Sequence, residues 1–214
     1  MTFRSPHLSR LVERYPALAP CFDDVVETAR LLTEVFSSGK KLLICGNGGS
    51  AADSEHIVGE LMKGFLLPRP ISESEVAQLA AIAGQEGLDV AGSLQRALPA
   101  IALTSQISLT SAIGNDTGFE MGFAQQVFGL GQPGDAVLGI STSGNSANVV
   151  RAFIVAKARG LKTIALTGRS GGRLVGLADI GIRVPADHVA EIQELHLPVY
   201  HALSMELEEH FFSS

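Results

Sequence analysis

Tryptophan is absent from this 214-residue chain, aromatic residues reach only 6%, and charged residues only 18%. A soluble domain usually carries about a quarter charged residues. So little charge beside 46% hydrophobic residues fits either a surface partly covered by another subunit or simply a compact α/β core. Cysteine is scarce: Cys21 and Cys45 are the only two. That excludes a disulfide scaffold. Cys45 sits in an apolar strand-like run, so both read as buried free thiols. Basic residues are too few for a nucleic-acid surface, with 16 against 22 acidic, a net charge of −6 and no Lys/Arg cluster. No run is apolar enough to cross a bilayer. The longest uncharged stretch, Ala97–Asn115, is too rich in serine and threonine. Arg4, His7, Arg10 and Glu13 interrupt the region where a signal peptide would need apolar residues, so the cytoplasm is the expected compartment. A mean hydropathy of +0.26 excludes disorder. The length suits one α/β domain, residues 1–214, burying roughly 70% of its unfolded surface.

What is present is a regular alternation. Apolar residues from Leu8 to Val35 recur near the 3.6-residue helical period, so residues 8–37 form a helical N-terminal region that Pro16 and Pro20 divide. Ser37-Ser38-Gly39 stops it. Lys41–Cys45 is a short buried strand, Gly46–Ser50 a loop, and Ala51–Phe65 a helix. Pro68 and Pro70 end that helix. Residues 67–98 then form a helical insertion, with a capped helix from Ser72 through Val76–Ala83 and punctuation at Gly84, Gly87 and Gly92. Further strands are expected at Ala100–Leu103, Ala136–Ile140, Thr163–Leu166 and Ile180–Val184, with helices at Ala147–Ala158 and Val189–Phe211. Strands alternating with helices imply a parallel sheet covered on both faces. Pro198 falls inside the last helix, where it removes a hydrogen bond and introduces a kink.

Two segments echo each other. Leu43–Ala51 and Leu138–Ala147 are each an apolar strand, a Gly/Ser/Asn loop and an alanine-rich helix start. Two such units set two helix N-termini near the carboxyl edge of one sheet, where open α/β sheets bind ligands. Exposed N–H groups and the helix dipole favour an anion there. The second loop adds the hydroxyls of Ser141, Thr142, Ser143 and Ser146, which hold a phosphate without arginine. A hydrophilic turn with an ordinary serine cap explains either loop alone; the pair points to phosphate. The dinucleotide reading of Gly46–Ala51 fails, because Leu66–Pro70 stands where the next strand and its acidic residue belong. No P-loop and no G-x-S-x-G nucleophile elbow is present.

His56 and Glu60 stand four residues apart on the helix leaving the first loop and share a face. That pair suits a metal, paired proton transfer, or a plain surface contact. Gln193, His196 and His201 cluster in the last helix, with His196 reading as a core residue and His210 as solvated.

Several segments then combine in order: Cys45–Ser50 with Asp53, His56 and Glu60; Gly114-Asn115-Asp116; Gly139–Ser146; Ala165–Gly168; and Ile192-Gln193-Glu194 with His196 and His201. Together they resemble the phosphoheptose isomerases. These sugar-isomerase (SIS) domain enzymes interconvert sedoheptulose 7-phosphate and D-glycero-D-manno-heptose 7-phosphate in heptose biosynthesis for lipopolysaccharide. The resemblance implies a three-layer α/β sandwich around a five-stranded, flavodoxin-like parallel sheet. It implies a homotetramer with active sites between subunits and a sugar phosphate as the bound partner. It puts one zinc per site on His56, Glu60, Gln193 and His201, and the catalytic acid/base pair on Glu60 and His201. It puts substrate contacts on Asn47, Gly48, Gly49, Ser50, Asn115, Asp116, Ser141, Thr142, Ser143, Ser146 and Gln193.

The chain also departs from the family pattern. The insertion at 67–98 is longer than in compact members. An arginine of some members is met by Gly64, with Lys63 beside it, and one before the Ile-Gln-Glu segment is met by Glu191. Two other readings compete. A non-catalytic SIS protein of the replication-initiator-associating type binds another protein and lacks the acid/base pair, whereas this chain keeps Glu60 and His201. An isomerase of a different phosphosugar would share the same loops.

Overall fold

The computed structural model describes residues 6–213. Five parallel strands form one sheet: β1 (Leu42–Gly46), β2 (Ala100–Ala102), β3 (Ala136–Ser141), β4 (Lys162–Thr167) and β5 (Ile180–Arg183), in the order β2-β1-β3-β4-β5. Successive side chains of a strand point to opposite faces, and the two cores follow that alternation. Leu42 and Ile44 of β1 join Leu138, Ile140, Ile164 and Ile182 in one apolar cluster. Leu43 and Cys45 join Val137, Ala165 and Phe153 in the other. Burial pushes the Cys45 thiol up to about 12 and that of Cys21 up to about 11, so neither is a reactive thiolate at neutral pH.

Helices α1 (Pro6–Arg14), α2 (Phe22–Ser37), α3 (Gly49–Met62) and the long α10 (Val189–Phe212) contribute to the first cluster. Helices α7 (Gly122–Leu130) and α8 (Ala147–Ala158) contribute to the second. A 3₁₀ segment at Pro16–Cys21 separates α1 from α2, because each proline lacks the N–H that an α-helix needs. Pro198 lies buried inside α10, which runs unbroken through it.

Between α3 and β2 the chain makes an excursion. Helix α4 (Glu73–Ala83) starts at a reciprocal capping box between Ser72 and Glu75, and α5 (Gln85–Ser93) folds back on it after Gly84. Three α-helices had no sequence-based expectation: α6 (Ile107–Asp116), α7, and the short α9 (Gly172–Val175) inside an expected loop. Helix α3 also stops at Met62 instead of reaching Phe65. The Glu208 carboxylate captures the N–H groups of Phe65, Leu66 and Leu67, which a longer helix would have bonded to its own carbonyls.

Candidate active site

The chain runs from β1 outward to β2 and then returns past β1 to β3, so the strand order reverses between β1 and β3. Such a reversal opens a crevice at the carboxyl ends of those strands. The loops after β1 and β3 flank it, and their side chains tie them together. Asn47 Nδ2 donates to Asn148 Oδ1 at 2.9 Å, and Asn148 Nδ2 donates back to Asn47 Oδ1 at 2.8 Å. Asn148 is buried and was not among the expected residues. Its signal was its place one residue inside the second helix of an echoed pair.

Gly48 caps α3 at φ 57°, in the region that only glycine enters cheaply, and the first turn of α3 follows at Gly49 and buried Ser50. Gly49 also yields room to Gln193, since a Cβ at Gly49 would lie 2.2 Å from Gln193 Nε2. Gln193 of α10 therefore lies directly against the first loop.

The second loop begins with buried Ser141, whose hydroxyl meets that of Ser146 at 3.0 Å. Ser143 Oγ accepts the Asn145 N–H at 3.2 Å. The Thr142 carbonyl accepts the Gly168 N–H at 3.0 Å, which draws the loop after β4 alongside. Thr142, Ser143, Gly168 and Arg169 line a cavity of about 200 Å³. Arg169 was missed by the sequence reading, which placed a phosphate on hydroxyls and amides alone. Its guanidinium is held by Asp187, at 3.0 Å, and by the Pro185 carbonyl. Asn115 and Asp116 stand apart from these loops as a bonded pair on the exposed C-terminal end of α6.

The titratable groups gather between α3 and α10. His56 Nε2 faces Glu60 Oε1 at 3.2 Å, and the rings of His56 and His201 sit edge to face with centroids 5.1 Å apart. Behind His56 runs a short chain of bonds. Tyr200 OH donates to Asp53 Oδ1 at 3.2 Å and lies 3.1 Å from His56 Nδ1. Burial and the adjacent Asp53 push the Tyr200 pKa well above its ordinary value, so Tyr200 keeps its proton and donates a hydrogen bond to Asp53. The bond to His56 then needs the Nδ1–H as donor, and Nε2 on the other side of the ring faces the Glu60 carboxylate, where a proton or a cation can bridge the two. Burial lowers the His201 pKa, as does neighbouring His56, against the pull of Glu60, so His201 is a neutral imidazole at neutral pH.

The donors suit a metal in kind: two imidazoles, a carboxylate and an amide. Glu60 Oε2 and His201 Nε2 are both buried without a hydrogen-bond partner, although Lys63 Nζ comes within 3.6 Å of Glu60 Oε2. Among the described residues no three His, Cys, Asp or Glu side chains already form a ligand group. Glu60 and His201 stand beside His56, while Gln193 lies against Gly49 of the first loop.

His196, expected in the core, is fully buried there, with the Thr167 backbone as its polar neighbour. Gly64 proves structurally required: a Cβ there would lie 2.7 Å from the Leu67 carbonyl and 2.8 Å from Gln95 Oε1. The Gly64 N–H donates to that same Gln95 oxygen at 2.6 Å.

Comparison with known proteins follows the same lines. An SIS domain family model matches residues 83–168. The phosphoheptose isomerase of Akkermansia muciniphila is 38% identical over 94% of this chain and 93% of that protein. The phosphoheptose isomerase of Geotalea daltonii is 43% identical over 91% of this chain and 86% of that protein. The structure of phosphoheptose isomerase from Neisseria gonorrhoeae superposes with a TM-score of 0.73 at 34% identity, covering 95% of each chain.

Proposed function

Because this chain belongs to the phosphoheptose isomerase family, we propose that it converts sedoheptulose 7-phosphate to D-glycero-D-manno-heptose 7-phosphate through an enediol, with Glu60 and His201 as the acid/base pair. The observation that supports this reading is the His201 ring beside His56: its buried Nε2 has no hydrogen-bond partner, and Glu60 Oε2 is buried in the same cluster and met only by Lys63 Nζ at 3.6 Å. A buried lone pair without a partner is costly, and it is what a proton-transfer site needs before substrate arrives.

Aldose–ketose isomerisation moves one proton between C1 and C2 and another between the two oxygens. Glu60 takes the carbon proton, giving the enediol, and returns it to the neighbouring carbon. His201, neutral because it is desolvated and lies beside His56, accepts and redelivers the oxygen proton. Each such group typically contributes about 10²–10⁴-fold in rate. The hydroxyls of Ser141, Thr142, Ser143 and Ser146 and the N-terminus of α8 bind the phosphate, and Arg169 stands at the wall of that cavity. The Asn47–Asn148 pair keeps the phosphate loop and the loop preceding α3 in register. Gln193 bears on Gly49 and orients the sugar between them.

His56, Glu60, Gln193 and His201 would hold one zinc ion. Bound there, zinc would polarise the carbonyl and offset charge on the enediolate. Exposed apolar side chains such as Ile82, Ile107 and Phe119 support a homotetramer in which subunits cover these positions.

Running the reaction in deuterium oxide tests the proton-transfer reading. Product from the wild type should carry solvent deuterium at the carbon that gains hydrogen, and Glu60→Gln should yield neither product nor exchange. Product without any deuterium would contradict an exchangeable enediol route, and an active Glu60→Gln would remove Glu60 as base.

A further inference from the structure

Arg69 and Glu208 form the least exposed of the described ion pairs, with side chains at 0% and 1% exposure. They lie outside the proposed chemistry, yet their bonds reach both halves of it. Arg69 sits between Pro68 and Pro70 in the strap that follows α3. Its Nη2 donates to the Glu60 carbonyl at 3.0 Å and its Nη1 to the Leu61 carbonyl at 2.8 Å. These carbonyls belong to the last turn of α3, where a helix has no partners of its own. Arg69 Nε donates to Glu208 Oε1 at 2.9 Å. Glu208 in turn accepts the N–H groups of Phe65 and Leu66, each at 2.7 Å, and of Leu67 at 3.2 Å.

Glu208 and His201 are seven residues apart on α10, two turns along one face. Phe65, whose N–H is bonded to Glu208, rests its ring 5.5 Å from the His201 ring. A single guanidinium–carboxylate pair therefore grips the backbone of Glu60, the residue packed on His201, and the helix that carries His201. A buried ion pair is a poor device for stability alone, since apolar replacements are often as stable or more so. The planar fork of arginine is instead suited to fixing several acceptors at set angles.

We propose that Arg69 and Glu208 are positioning residues of the isomerase, a buried clamp that sets Glu60 against His201. The inference rests on the acid/base reading of those two residues. Arg69→Lys keeps the charge and loses the fork. In the full-length protein it should lower kcat on the order of 10²-fold, the scale of a misplacement of about 1 Å. KM should stay within about twofold, since the phosphate loops are untouched. Both constants are read per folded molecule, with the folded fraction taken from circular dichroism, and the lowered kcat at unchanged KM should persist on that scale. A loss explained by unfolding alone would instead lower kcat in proportion to the folded fraction and vanish once that fraction is allowed for.

Arg69→Gln/Glu208→Gln removes both buried charges and provides a second folded variant, for which the same split is expected. Wild-type kcat in a folded form of either variant would overturn the clamp. So would failure of both to fold, which would make the pair a stability element. Glu60→Gln, run beside them, separates the two claims. If it is active the acid/base reading fails; if it is inactive while folded Arg69→Lys is fully active, the clamp alone fails.

Discussion

His56 Nε2 faces Glu60 Oε1 at 3.2 Å, while Tyr200 takes the other imidazole nitrogen as its donor. That arrangement depends on Tyr200 donating its own hydrogen bond to Asp53. Tyr200→Phe removes the acceptor for His56 Nδ1–H and frees the ring to change tautomer. Zinc affinity measured by calorimetry should fall about 10–100-fold, the usual cost of losing such an orienting partner. Unchanged affinity would mean that the Asp53–Tyr200–His56 chain does not prepare a metal ligand.

The strap after α3 explains a departure from the family pattern. Gly64 stands where some members carry arginine, and Gln95 from the excursion occupies the space a side chain would need. Gly64→Arg should therefore destabilise this protein by about 1–3 kcal/mol through overcrowding. It should not raise activity. A variant of equal melting temperature and higher kcat would show that the position still accepts the family's arginine and that Gln95 yields to it.

His196 makes stability depend on pH. Burial pushes its pKa down to about 4 from the ordinary 6.5. Between those values the unfolded chain takes up a proton that the folded chain refuses, so acid favours unfolding. The stabilising contribution of the neutral ring is intact above pH 6.5 and is lost as pH falls towards 4, by on the order of 3 kcal/mol. His196→Phe removes this linkage. Denaturant melts of the wild type should lose stability more steeply across that window than those of His196→Phe. Parallel curves would show that His196 protonates without cost in the fold.

Much of this architecture was legible in the residues. Each of the five strands matched an apolar run bounded by glycine, serine or charge, and the helix at Ala147–Ala158 was read to its ends because a serine-rich loop precedes it and Arg159-Gly160 follows. Periodicity shows which face is buried but not where a helix stops when a distant side chain ends it. The end of α3 at Met62 depends on Glu208, 146 positions further along the chain. Helix α6 was unread because its serines and threonines blur the apolar stripe, and only Ile113 in it is buried.

The site divides in the same way. Loops and cluster members such as Asn47, Ser141, His56 and His201 carry local signals of spacing and residue type. Asn148, Tyr200, Arg169 and Arg69 act through partners set by the fold, across separations of 101 residues for Asn47–Asn148 and 139 for Arg69–Glu208. No local pattern reports such pairs. An arginine between two prolines reads as a turn, and a glutamate in an acidic run near a helix end reads as solvated surface. Both are buried only because α3, the strap and α10 meet there.

The central claim is that this chain is a metal-assisted isomerase of a heptose phosphate. The most direct measurement is turnover of sedoheptulose 7-phosphate by metal-stripped protein, with and without added zinc. Formation of the aldoheptose phosphate that rises on adding zinc is the predicted result. Absence of turnover in both states, by protein that remains folded, would contradict the account.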